Sequence, residues 1–75
     1  MTLTQWRKQL HTYVSRRAHV GMTLVLGDKK HFCIDIEPSS YGTRYVFDSG
    51  LSLTVNNICA NIELYQSRGE NWDIS

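Results

Sequence analysis

The sequence predicts an α+β fold in which an N-terminal amphipathic helix precedes five short antiparallel strands closed into a small barrel. Three observations carry this reading. Apolar residues recur at helical spacing up to Arg17, then at a spacing of two from Met22 onward. The later segments are separated by Gly27-Asp28-Lys29-Lys30, Glu37-Pro38-Ser39-Ser40 and Asp48-Ser49-Gly50, compositions that favour tight turns. Hydrophobic residues make up 41% of the chain and charged residues 20%, enough apolar material for a core and too much for disorder.

The helix is expected from about Leu3 to Arg17. Leu3, Trp6, Leu10, Tyr13, Val14 and Arg17 share one face of a 3.6-residue period. Thr2 and Gln5 have the spacing of a capping box, and Gly21 is a plausible stop. Four strands follow. Met22, Leu24 and Leu26 alternate in the first, Phe32, Ile34 and Ile36 in the second, Tyr45 and Phe47 in the third, and Leu51, Leu53 and Val55 in the fourth. Ile62-Glu63-Leu64-Tyr65 is expected as the fifth, with a helical turn through Ile58 and Ala60 as the alternative. Closing such a meander into a barrel would remove its exposed edges.

The chain reads as one domain, 1–75, with the helix at about 3–17, strands at about 22–65 and a flexible tail at 66–75, onto which Trp72 and Ile74 offer a means of docking. A domain of 75 residues has modest stability, which such domains often supplement by oligomerising or docking on a partner. No apolar run approaches the roughly 18 residues of a membrane span, and the first residues lack the pattern of a signal peptide. Cys33 and Cys59 form no CxxC pair, so a reducing cytoplasm is the expected location, with a single bridge between them left open.

Charge is unevenly distributed. Residues 1–20 hold Arg7, Lys8, Arg16 and Arg17 without one acid, and His11 and His19 add charge below about pH 6.5. The remainder has four Lys or Arg against seven acids. The helix therefore offers a cationic edge to phosphates or an acidic protein surface; the structural alternative is a solvated face with Arg16 and Arg17 favourably placed near the negative helix end.

Arg16-Arg17-Ala18-His19-Val20 at the helix end, then Thr23-Leu24-Val25-Leu26, His31-Phe32 and Ile36-Glu37, resemble the SH3/Sm-like small barrels of the Hfq and Rof type. The resemblance spans about residues 10–65. It implies an open five-stranded barrel, ring assembly and RNA binding, with Arg16 and Arg17 on the RNA-contacting rim and His19 beside them. Two positions depart from the RNA-chaperone pattern. Cys33 or Ile34 stands where that family bends its second strand at a glycine, and Val55-Asn56-Asn57-Ile58 replaces its Tyr-Lys-His segment. These departures fit better a monomer that binds another protein, as in the Rho-inhibitor family Rof.

His31, Cys33 and Asp35 alternate on one strand and are the only arrangement suggestive of nucleophilic or metal chemistry. Same-face neighbours on a strand stand nearly 7 Å apart, so a solvent-facing strand is the expected explanation. No metal or other cofactor and no small-molecule substrate is expected. The expected function is a non-enzymatic regulatory module acting on RNA or protein through Arg7, Lys8, Arg16, Arg17 and His19, with homo-oligomer formation among its options. The alternative is a small inhibitor or adaptor, of phage or plasmid type, that blocks a larger host complex.

Overall fold

The computed structural model describes all residues 1–75, in the order α1 (Leu3–Arg17), β1 (Thr23–Leu26), β2 (Lys29–Ser39), β3 (Gly42–Phe47), β4 (Ser52–Leu53), α2 (Val55–Ser67) and β5 (Trp72–Ile74). The capping box forms at the start of α1: the Gln5 amide N–H donates to Thr2 Oγ1 at 3.2 Å, and Oε1 of Gln5 accepts from the Thr2 amide at 2.9 Å. Leu10 and Val14 are buried, Trp6 and Tyr13 pack beside them, and Leu3 stays exposed. The helix spans the expected residues and ends where Ala18 turns to extended backbone while its N–H still bonds to Val14. Gly21, at φ +99°, serves the turn into β1 instead.

The strands form one antiparallel sheet in the order β4-β3-β2-β1-β5, and the barrel does not close. The last strand does take the place beside β1 that closure of a meander requires, yet β4 and β5 are not paired. Between them lies α2, which occupies the segment expected to hold the fifth strand. Thr54 and Asn57 make a second capping box, with reciprocal bonds of 3.2 and 3.1 Å. Val55, Ile58, Ile62 and Tyr65 then follow at helical spacing, with Ile58 and Ile62 fully buried. Leu64, which a strand would have placed on the same face as Ile62, points outward.

The second strand also differs from expectation, since Phe32 and Ile34 face solvent while His31 and Cys33 face the core. The physical reason is register. Gly27 and Asp28 form a two-residue turn that pairs Leu26 with Lys29 and Leu24 with His31. Leu24 and Leu26 are buried, so their partners must lie on the same side, and a one-residue slip would invert the whole strand. His31 is accommodated by a 2.6 Å bond between Nδ1 and Ser49 Oγ and by edge-on packing against Phe47. A β-bulge between Cys33 and Asp35 then shifts the phase, placing Ile36 opposite Tyr45.

The tail is part of the sheet. Leu26, Val25 and Leu24 pair with Trp72, Asp73 and Ile74, and Thr23 and Ser75 exchange bonds of 2.8 and 3.0 Å. Ile74 joins Leu10, Val14, Met22, Leu24, Leu26, Cys33, Phe47, Ile58 and Ile62 in a single core cluster. Ile74→Ala should therefore lower stability by about 2–5 kcal/mol, the range for truncating a buried Ile. Urea denaturation checks this; an unchanged midpoint would mean that β5 contributes no core packing.

Candidate binding face on the first helix

Each turn of α1 carries two kinds of side chain. Leu10 and Val14 anchor one side to the core, and Gln5, Lys8, Gln9, Thr12, Tyr13, Arg16 and Arg17 line the flank that runs from the edge of that stripe, at Tyr13 and Arg17, round to the solvent side. These residues line an open depression of about 590 Å³. Every lining residue belongs to α1, so this is a surface between side chains rather than an enclosed pocket.

Three of the five expected site residues, Lys8, Arg16 and Arg17, line this depression, with Lys8 about 12 Å along the helix axis from Arg16. None has an acidic partner: the two ion pairs of the chain are Arg7–Glu63 and Arg68–Glu70. Arg17 is held in place, its guanidinium carbon 3.6 Å from the centre of the Tyr13 ring. Tyr13 in turn meets the edge of Trp72 at 6.0 Å, and Trp72 Nε1 donates to Gln66 Oε1 at 2.8 Å. Trp72 thus supports the cationic face from the far end of the chain. The four-residue spacing of Tyr13 and Arg17 signals their stacking in the sequence, whereas nothing local signals the contribution of Trp72.

The other two expected residues lie elsewhere. Arg7 is turned toward α2, where Nε donates to both Glu63 carboxylate oxygens at 3.1 Å and Nη2 donates to Oε1 at 2.6 Å. This bidentate pair clips the two helices together and neutralises the Arg7 charge. His19 follows the helix, with Nδ1–H donating to the Arg17 carbonyl at 2.6 Å.

His31, Cys33 and Asp35 are not brought into a catalytic arrangement. His31 bonds to Ser49, Cys33 Sγ approaches the Asp35 carbonyl at 3.5 Å, and the Asp35 carboxylate accepts from the Ile36 amide at 2.8 Å. Both cysteines are free, and burial pushes the Cys59 thiol pKa up, away from the reactive thiolate. No three His, Cys, Asp or Glu side chains are placed to hold a metal ion. No helix is long and apolar enough to cross a membrane.

The hydrogen bonds from Arg7, aided by its charge, hold the Glu63 carboxyl below the usual carboxylate range. A carboxylate with a lower pKa in the folded state stabilises the fold fully above its unfolded pKa, near 4.3. That contribution disappears as the pH falls through the folded value. Glu63→Gln should remove this part of the acid dependence, while the difference from the parent protein persists at pH 7 and vanishes near pH 2. Urea midpoints measured across that interval check it, and parallel pH profiles would overturn it. No known family model matches the chain, and neither curated proteins nor solved structures give a match.

Proposed function

We propose that this protein is a non-enzymatic regulatory binding module that lays the outer face of α1 along RNA. The observation that carries the reading is the open depression lined by Lys8, Arg16 and Arg17, none with an acidic partner, together with hydrogen-bonding Gln5, Gln9 and Thr12. Unpaired cations displace counterions from a phosphate backbone, while amides and hydroxyls position it. The Sm-like resemblance at Arg16-Arg17-Ala18-His19-Val20 supports the same reading.

A second reading rests on the ordering of Arg17 by Tyr13 and Trp72. Arginine supported by aromatic rings is typical of residues that dominate protein interfaces. It favours a small inhibitor or adaptor that places this face on an acidic surface of a larger host complex.

Fluorescence anisotropy with a labelled single-stranded RNA separates the two. With three phosphate contacts the affinity should fall about 20-fold between 50 and 200 mM salt, and with one contact about 3-fold. The double variant Arg16→Ala, Arg17→Ala should show the shallower dependence and weaker binding. Unchanged affinity in that variant, or no RNA binding at low salt, would reject the RNA reading. Salt-sensitive capture of a stoichiometric acidic protein, lost in the same variant, would establish the second.

A further inference from the structure

Both helices pack against one side of the sheet, and nothing covers the other. On that open side lie Val25, Phe32, Ile34 and Val46, with Phe32 and Ile34 about half exposed at 47% and 54%. These side chains stand on a rigid ladder. The Phe32 N–H donates to the Asp48 carboxylate at 3.0 Å, and its carbonyl accepts from the Asp48 amide at 2.9 Å. We propose that this open face binds a second copy of the chain, sheet against sheet across a two-fold axis near Cys33.

The charge order along β2 points to a second copy. Its outer face runs from Lys30 through Phe32 and Ile34 to Asp35 and Glu37, cation at one end and anions at the other. None of these three charges has an ion-pair partner within the chain. A two-fold axis through the centre of this stripe lays Phe32 of each copy on Ile34 of the other. It also brings each Lys30 between Asp35 and Glu37 of the opposing strand. The β2 stripe is therefore complementary to itself in both apolar contact and charge, as an isologous interface requires, with Arg44 opposite Glu37 and Asp73 beside Val25 at its margins.

Association through the strand edge is disfavoured. Beyond Cys33, β2 has β3 on one side and open space on the other. Along that open edge the Ile36 N–H is already taken by the Asp35 carboxylate, and Pro38, two residues on, has no N–H to offer. The edge is a poor template for strand addition, so this stretch of β2 offers its face rather than its edge to a second copy.

Sedimentation equilibrium of the full chain should show a mass rising with concentration from 8.7 kDa toward twice that value. Ile34→Glu should weaken association by about 100-fold or more while leaving the circular dichroism spectrum unchanged, because the side chain is exposed. Lys30→Glu and Glu37→Lys should each weaken it by about 10-fold through like-charge contact. Mixing those two variants should restore association, since each then supplies the charge the other lacks; a foreign partner gives no such rescue. A single-chain mass up to about 1 mM in the parent protein overturns the proposal, as do association unaffected by Ile34→Glu and a mixture that stays monomeric.

Discussion

The turn at Gly27-Asp28 decides which side of the sheet each residue at the start of β2 occupies, and much of the structure follows from that choice. Gly27 has φ +66° while Asp28 keeps a negative φ, the pattern of a hairpin turn with glycine at its first central position. The turn is also packed from outside. A Cβ at Gly27 would stand 3.2 Å from the Tyr65 ring, so α2 closes over the one residue type that permits the register. With Leu26 paired to Lys29, His31 and Cys33 must enter the core and Phe32 must leave it. A polar imidazole in the core then needs a partner, and Ser49 supplies one.

The same turn joins the two ends of the chain. Tyr65 packs over Gly27 from the last part of α2, and the Gly27 amide donates to the Asn71 carbonyl just before β5. The segment from α2 to β5 is thereby brought back beside β1, and Trp72 arrives where it can support Tyr13 and Arg17. The ordering of a cation on the first helix thus depends on the return of the last strand. Local helix propensity explains why Arg17 lies one turn after Tyr13; the long-range return explains why Tyr13 is held.

The first helix was legible in the sequence because capping and periodicity agree there. The second was obscured: Ile62 and Leu64 fit a two-residue period, while Ile58, Ile62 and Tyr65 fit a helical one. Its capping box also uses Asn57 where Glu or Gln is the commoner partner. The face of β2 was misread because apolar alternation at Phe32, Ile34 and Ile36 is a strong signal, yet register is set by the turn, and no side-chain pattern reports it. On the candidate site, the grouping of Lys8 with Arg16 follows from helix geometry alone. Arg7 stands three and seven residues before Leu10 and Val14, the spacing of the buried stripe, so its turn toward the core side was readable. Its partner was not, because Glu63 belongs to the helix that was read as a strand.

The two proposed surfaces lie on opposite sides of the molecule, and this separation has a consequence for stoichiometry. Leu10 and Val14 fix α1 to the covered side of the sheet, so its cationic face looks away from Phe32 and Ile34. Pairing through the open side would stack two sheets between two outer helix layers. At about 10 Å per layer, the two cationic faces would lie on opposite surfaces more than about 30 Å apart. A compact acidic protein of ordinary size can occupy only one of them. A flexible polyanion long enough to pass around the assembly can reach both, and its second contact then forms at a high effective concentration. If both proposals hold, partner type is coupled to self-association: a dimer would add avidity for a long strand and none for a globular target.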